Sequence, residues 1–214
     1  MSMKTKIHRL TGANAPSTDR AEITRHHILE VAALAFAERG YAGASLNDII
    51  KDAGVTKGGL YFHFPSKEAL ALEVVRYKQE QWAGRVVAAT MRHETAMEQL
   101  NAMADALCDL YEQDPSCRAL GKVCLELSQN PSLRPQLTPT FTTWVQLTAS
   151  ILSKAQQEGA IRQDIDPVAV GETCVTATLG MEMMSLILSD MTDIRRRMER
   201  FVAFLTTVLT TSQD

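Results

Sequence analysis

Apolar residues recur along most of the chain at the three- and four-residue spacing of amphipathic α-helices. The first predicted helix runs from about Arg20 to Arg39, and Gly40 follows it as a helix stop. Its apolar stripe consists of Ile28, Val31, Ala32, Ala35 and Phe36. No segment alternates convincingly with the two-residue period of a strand, and no repeat is detectable. The pattern therefore predicts an all-α protein.

Two short helices are predicted next, separated by a tight turn. Ser45 is the expected N-cap of the first, which ends at Gly54. Thr56 is the expected N-cap of the second, which runs from Lys57 to about Phe64. The apolar residues expected to pack between them are Ile49, Ile50, Ala53, Val55 and Leu60. Because only Gly-Val-Thr separates the two helices, the layout predicts a helix-turn-helix, whose second helix enters the major groove of DNA.

Longer amphipathic helices are predicted from residue 67 onwards. N-capping residues, prolines and glycines mark their ends. Their expected spans are Lys67 to Met91, Thr95 to Gln113, Ser116 to Gln129, Thr138 to Gly159, Asp166 to Ser189, and a last helix that begins at Thr192 or Asp193 and nearly reaches the C-terminus. A chain of 214 residues with this many apolar stripes is long enough to bury a sizeable core.

Composition and charge fit a globular protein that meets a polyanion at one end. Apolar residues make up 45% of the chain and charged residues 22%. Residues 1–67 contain nine Lys and Arg against six Asp and Glu, whereas the rest of the chain contains thirteen against nineteen. A mildly basic segment attached to a larger acidic one indicates that only the N-terminal part contacts a polyanion such as DNA.

The chain contains no signal for a membrane, a metal site or catalysis. No apolar run approaches the roughly 18 residues of a membrane span, and no secretory signal is present, so we expect a cytoplasmic protein. The cysteines lack zinc-ligand spacing and are expected to be reduced thiols; they are Cys108, Cys117, Cys124 and Cys174. Phosphate-binding loops and the GxSxG and HExxH motifs are also missing, so we expect no cofactor and no enzyme activity.

The start of the second short helix is unusually poor in side chains. Gly58 and Gly59 each cost roughly 1 kcal/mol relative to Ala in a helix interior, so another advantage must offset them. A helix start without side chains allows the backbone to approach base edges closely. Thr56 and Lys57 would then project into the groove.

Four aromatic or imidazole rings follow the glycine pair. Tyr61 and His63 are expected on the solvent side, where they can donate hydrogen bonds to phosphate oxygens and fix the register on DNA. Of Phe62 and Phe64, we expect one ring to pack inward and the other to contact a sugar or a thymine methyl group.

The run FAERGYAGASLNDIIKDAGVTKGGLYFHFPSKEAL resembles the N-terminal signature of the tetracycline-repressor (TetR) family of bacterial transcriptional regulators. The resemblance covers about residues 23–72. It implies a dimeric, ligand-responsive repressor, in which a helix-turn-helix precedes a larger helical domain that binds a small effector. Residues 1–19 would form a flexible basic arm, residues 20–67 the DNA-binding domain, and residues 68–214 the effector-binding and dimerisation domain. Part of the run is also similar to the γ-butyrolactone-receptor branch.

The resemblance assigns DNA contacts to particular positions of this sequence. In the first short helix they fall on Ser45 and Asn47. In the second they fall on Thr56, Lys57, Gly58, Gly59, Tyr61, Phe62 and His63. Lys67 matches a place where a lysine and backbone amides at a helix start bind a phosphate. Many relatives have Thr, Ser or Ala where this chain has Gly59, so one possible base contact is missing.

The resemblance also implies an effector cavity between the middle helices. The candidate lining residues are Tyr111, Leu120, Cys124, Phe141, Trp144, Leu147 and Cys174. Each could equally be an ordinary core residue. The largely uncharged set favours a neutral, hydrophobic or weakly polar effector, whereas Glu126 or Glu182, if buried, would suit a cationic ligand.

Two further features leave alternatives open. Met181, Met183 and Met184 fit an interface or core better than a pocket, because the resemblance implies that the last two helices form a four-helix bundle in a homodimer. Cys117 lies near a helix start, where the pKa of a thiol can fall, so it could sense oxidants; the alternative is an inert apolar residue.

A scaffold without DNA binding is a third class of function, but it leaves the glycine pair unexplained.

Overall fold

The structure is a computed structural model that describes residues 17–210. These residues form nine α-helices and no β-strand, which confirms the predicted all-α class. The helices are α1 (Ser17–Gly43), α2 (Leu46–Ala53), α3 (Lys57–His63), α4 (Lys67–Thr90), α5 (Ala96–Gln113), α6 (Pro115–Ser128), α7 (Arg134–Gln157), α8 (Pro167–Ser189) and α9 (Ile194–Leu209). Within this part of the chain, no helix is both long and apolar enough to cross a membrane. Most of the predicted N-terminal arm, residues 1–19, lies outside the described residues.

Local sequence signals set the limits of the head, which we define as α1–α3. α1 is broken at Gly40, whose φ of 70° lies in the left-handed region that side chains disfavour. At the start of α2 the Ser45 hydroxyl accepts a hydrogen bond from Asp48 N, and Gly54 ends the helix in a left-handed conformation. The predicted breaks at Gly40 and Gly54 and the predicted N-cap at Ser45 are confirmed.

A small apolar core holds α2 and α3 together. Ile49 and Leu60 are fully buried and Ala53 is nearly so, while Ile50 and Val55 are half-buried against them. All five residues predicted to pack between these helices therefore lie in the core or pack against it. Burial of this kind fixes the angle at which α3 projects from the head, because α3 is too short to be a stable helix alone.

α4 leads from the head to the body, which we define as α5–α9. Thr95 and Glu98 form a capping box at the start of α5. Asp114 caps α6 and Pro115 occupies its first turn, so α6 starts one residue earlier than predicted. α1 packs mainly against α4 and α6, which makes α6 the body helix that most extensively contacts the head.

The predicted start of α7 is wrong. The helix begins at Arg134 and not at Thr138, and Pro139 lies inside it. Pro135 already occupies the first turn, where backbone N–H groups have no partner within the helix, so a proline there breaks no hydrogen bond. The missing N–H of Pro139 removes only a single bond near the helix start, so the preceding residues still join the helix.

Two contacts fix the position of α8. Gly171 lets α8 approach α7 closely, because a methyl group at this residue would lie 2.9 Å from the Val145 carbonyl oxygen. At the other end, Asp193 Oδ1 accepts hydrogen bonds of 2.6 Å from the hydroxyls of Ser185 and Ser189. Arg197 also donates to Asp193, and these bonds hold the pKa of the carboxyl well below its usual range. The turn between α8 and α9 is therefore firmly held.

Candidate DNA interface and effector cavity

Thr56 fixes the start of the recognition helix α3. Its hydroxyl accepts a 3.0 Å hydrogen bond from Gly59 N, and its backbone is extended, as an N-cap requires. A hydroxyl that accepts one hydrogen bond can still donate another, so Thr56 remains able to donate to a base or a phosphate. The predicted N-cap at Thr56 is confirmed, while its contact with DNA stays a prediction.

The outer face of α3 carries exposed rings. Phe62 is 80% exposed and Tyr61 42% exposed, whereas Phe64 is buried. One phenylalanine therefore packs inward, as predicted. His63 is half-buried and its ring lies edge-on to Phe62, with 5.0 Å between the ring centres. An apolar ring as exposed as Phe62 adds little to the core of the head and is accessible to a partner.

The glycine pair is not required by packing within the chain. A methyl group on Gly58 would meet no other segment within 4 Å. At Gly59 it would lie 3.2 Å from Thr56 Oγ1, which is tight but adjustable. Both residues have helical backbone conformations, so left-handed geometry does not explain them either. The absence of side chains is therefore best explained by something that binds from outside.

The other predicted DNA contacts surround α3. Asn47 and Lys57 are exposed, and Ser45 is exposed but its hydroxyl donates to Asp48 at 2.7 Å. Lys67 is at the start of α4, where its ammonium group donates to the Ala42 carbonyl at 3.2 Å and lies 4.6 Å from the centre of the Tyr41 ring. A phosphate would have to draw Lys67 away from the end of α1.

A cavity of about 140 Å³ lies between helices α4 to α9, all of which line it. Six of the seven predicted lining residues border it: Tyr111, Leu120, Cys124, Phe141, Trp144 and Cys174. The structure does not place Leu147 on the wall; that side chain is half-buried against the core, one helical turn from Trp144. Whether the six contact an effector stays a prediction.

Several wall residues were not predicted, and α4 supplies the most informative. Trp82 and Gln79 face the cavity from this helix. Trp82 donates its ring N–H to Asp114 at 3.0 Å, and Trp144 on α7 donates to Gln79. The spacing of Val75, Trp82 and Val86 along one face of α4 is the sequence signal that could have identified Trp82 as inward-facing.

The described wall is mostly apolar with a few neutral polar residues, among them Gln79, Asn101 and Thr148, and its only charged residue is Glu182. This residue is only 8% exposed, and Tyr111 donates a 3.1 Å hydrogen bond to its Oε2. Burial raises the pKa of the Glu182 carboxyl to about 7. Glu126, the other glutamate considered from the sequence, is half-exposed outside the cavity and accepts a hydrogen bond from Ala42 N.

The structure distinguishes between the two alternatives for Cys117. Its thiol is 8% exposed in the cavity wall, and burial raises its pKa well above the usual range, with the carboxylates of Glu182 and Asp114 adding to the shift. A neutral, buried thiol is a poor nucleophile, so burial outweighs the helix start and the structure favours the inert apolar residue over the oxidant sensor. All four cysteines are free and buried.

The chain has a three-helix head with an exposed recognition helix, and this head is joined to a helical body with a mostly apolar cavity. This combination defines a helix-turn-helix regulator with a ligand-binding body. Comparison with known families agrees. Residues 28–74 match the family of bacterial regulatory proteins called the tetR family, and residues 96–201 match the tetracyclin repressor-like C-terminal domain. The chain belongs to the TetR family of transcriptional regulators.

Individual relatives include receptors and repressors. The chain is 28% identical to the A-factor receptor protein of Streptomyces griseus over 82% of this chain, an alignment that spans only 60% of that receptor. It is 28% identical to the transcriptional repressor DhaR of Mycobacterium sp. strain GP1 over 73% of this chain and 79% of DhaR. A solved structure of a γ-butyrolactone receptor (ArpA-like protein) is 31% identical, covers 90% of this chain and 91% of its own, and has a TM-score of 0.66.

Proposed function

We propose that this protein is a homodimeric repressor that is released from a pseudo-palindromic DNA operator when a small, largely apolar effector enters the cavity. Residues 20–67 would bind DNA and residues 68–214 would bind the effector and the partner subunit. The function would be exerted in the cytoplasm without catalysis or a cofactor. The observation that carries this proposal is the pair of glycines at the start of an exposed α3: no contact inside the chain explains Gly58, and only the Thr56 hydroxyl lies close to Gly59.

An exposed apolar face supports the dimer. Large apolar side chains on α8 and α9 are between 39% and 70% exposed in the single chain: Leu179, Met183, Met184, Ile187, Leu188, Phe204 and Val208. Their number on two adjacent helices is typical of a protein–protein interface. The methionines singled out from the sequence divide accordingly, because Met183 and Met184 are exposed and Met181 is half-buried. Pairing these helices with a second copy would bury the face and place two recognition helices on one side of the dimer.

Two helices can communicate between cavity and head. α6 lines the cavity and contacts α1, where Glu126 Oε2 accepts a 2.9 Å hydrogen bond from Ala42 N. Lys67 donates to the carbonyl of the same Ala42. α4 lines the cavity through Trp82 and begins at Lys67. A ligand that moves α4 or α6 would therefore change the orientation of the head, and a coupling of about 1–3 kcal/mol would suffice for regulation.

The relatives support both halves of this function. DhaR is named a transcriptional repressor, and the A-factor and γ-butyrolactone proteins are named receptors. These names support ligand-dependent repression here.

The proposal is tested by incubating the purified protein with fragments of its own genome, including the DNA that flanks its gene. We expect enrichment of a fragment with a pseudo-palindrome whose half-sites lie about one helical turn, or a multiple of it, apart. Tyr61→Ala and Lys67→Ala should weaken the binding of that fragment, while Arg92→Ala, an exposed residue beyond the far end of α4, should not. Failure to enrich any fragment at low salt would overturn the proposal.

A further inference from the structure

Glu182 differs from the other described residues of the cavity wall because its side chain can carry a full charge. It is the only Asp, Glu, Lys, Arg or His among the lining residues that the structure describes. It projects from the middle of α8, far from the caps and turns where acidic residues usually stabilise a helix. A carboxylate in the middle of an apolar cavity costs stability, so a role in folding does not explain it.

Its two oxygens have different surroundings. Oε2 accepts the hydrogen bond from the Tyr111 hydroxyl. Oε1 faces Gly121 on α6, where a methyl group would lie only 3.3 Å away. Any larger residue at position 121 would therefore crowd this oxygen. The glycine therefore places no side chain against this side of the carboxylate.

The charge of Glu182 is not neutralised within the described part of the protein. No Lys, Arg or His whose side chain is described lies within ion-pair distance of its carboxylate. The ionisable groups that act on it or feel its charge are Tyr111 on α5 and Cys117, Lys122 and Cys124 on α6. Lys122 is the only cation among them, and it is exposed. The wall residues from α4, α7 and α9 carry no charge.

We propose that Glu182 selects the effector: the cavity takes a molecule with an apolar body and a protonated amine, and the ammonium group docks on Glu182 beside Gly121. This inference rests on the proposed function of the cavity as an effector site. A carboxylate is favoured over an amide only if it meets positive charge, because a neutral donor could be bound by Gln without the cost of burying an ion. The ligand ammonium would supply the missing cation.

The size of the cavity limits the ligand. Its volume of about 140 Å³ is similar to the roughly 150 Å³ cavity that holds one benzene molecule in another protein. A small aliphatic or aromatic amine fits better than a large multi-ring cation. We therefore choose n-octylamine, 1-octanol and octanoate as probes, which share one apolar chain and differ in their head groups.

The protein carries its own reporter of binding. Its two tryptophans, Trp82 and Trp144, both line the cavity. Changes in tryptophan fluorescence therefore measure the affinity of each probe without a label. At about pH 8 we expect n-octylamine to bind at least about tenfold more tightly than 1-octanol, and octanoate to bind more weakly than both.

Glu182→Gln tests the residue itself. Gln keeps the shape of the side chain and can still accept from Tyr111, so the variant should fold. It should lose the preference for n-octylamine and keep the affinity for 1-octanol within about twofold. Glu172→Gln, an exposed position on the same helix, is the matched control and should behave as the unmodified protein. Lowering the pH from about 8 to about 6 should weaken n-octylamine binding to the unmodified protein but not to Glu182→Gln.

The outcomes separate this inference from the function on which it rests. If 1-octanol binds and n-octylamine shows no preference, or if the preference survives in Glu182→Gln, the cavity remains an effector site but the role of Glu182 is wrong. If none of the three probes changes the tryptophan fluorescence, both the effector cavity and the role of Glu182 are contradicted.

Discussion

Lys78 and Glu30 form an ion pair across the contact between α4 and α1, with 3.0 Å between Lys78 Nζ and Glu30 Oε2. Lys78 is buried, and its ammonium group also lies 3.4 Å from Asp114 Oδ2. Asp114 caps α6 and accepts the ring N–H of Trp82 from the cavity wall. Charged contacts thus connect a cavity residue with the head.

Substitution of Lys78 should reveal the strength of this connection. Lys78→Met keeps the apolar stem but leaves two carboxylates without their cation, so we expect the free energy of unfolding to fall by about 2 kcal/mol or more. Urea denaturation at equal protein concentration measures the loss. A double-mutant cycle with Glu30→Gln should show a coupling of about 1 kcal/mol, and strictly additive effects would contradict the ion pair as a stabilising contact.

Gly58 should affect stability and DNA binding in opposite directions. Gly58→Ala has room in the free protein and removes a flexible residue from a helix, so it should raise the free energy of unfolding by roughly 0.5–1 kcal/mol. The added methyl group should nevertheless weaken operator binding, because it occupies the surface that approaches the bases.

Gly84→Ala is the matched control for Gly58→Ala. Gly84 is an exposed residue inside α4 and also has room for a methyl group. Its substitution should stabilise the protein to a similar extent without changing operator affinity. The role of Gly58 would be contradicted if both variants bound the operator equally well, measured by fluorescence anisotropy of labelled DNA.

The stability of the protein should depend on pH through Glu182. Burial raises the pKa of this carboxyl to about 7, whereas in the unfolded chain it is near the usual value of about 4.3. The folded state therefore binds the proton more tightly, and this contribution to stability is present in acid and is lost as the pH rises through the folded pKa. Relative to Glu182→Gln, the unmodified protein should lose about 2 kcal/mol between about pH 5.5 and pH 8.

Urea denaturation of both proteins across this pH range provides the measurement. Glu172→Gln, which changes an exposed carboxyl on the same helix, should keep a constant difference from the unmodified protein. A constant difference for Glu182→Gln as well would show that Glu182 does not titrate in this range.

The apolar face of α8 and α9 should hold the dimer together. Phe204 is 64% exposed in the single chain, so Phe204→Glu should not disturb the core but should introduce a charge into the interface. We expect a monomer in sedimentation velocity and a loss of operator binding. Met91→Glu changes a residue that is 76% exposed at the end of α4, and it should leave the dimer intact. A Phe204→Glu variant that stays dimeric would contradict this interface.

The head could be predicted from sequence because its signals are local. Gly40, Gly54 and the capping residues Ser45 and Thr56 act through hydrogen bonds and backbone conformations within a few residues. Pattern alone could not tell which of Phe62 and Phe64 is exposed, since both lie at the end of the same short helix and only packing against the head distinguishes them.

The cavity was predicted less completely because it depends on how six helices pack together. Trp82 was missed because it lies on α4, which the sequence presents as a connection between the two parts of the chain. The sequence left the reactivity of Cys117 open, because burial of this thiol by distant helices cannot be read from its neighbours in sequence. The sequence indicated that Glu182 would suit a cationic ligand only if it were buried, and the structure shows that it is buried.

The central claim is that the head binds DNA through α3 and the start of α4. The most direct test is the affinity for the enriched genomic fragment as a function of salt, compared between the unmodified protein, Tyr61→Ala and Lys67→Ala. We expect the affinity to fall steeply with salt, both variants to bind more weakly, and the slope of log affinity against log salt to be smaller by about one in Lys67→Ala. An affinity that is insensitive to salt and unchanged in both variants would contradict the claim.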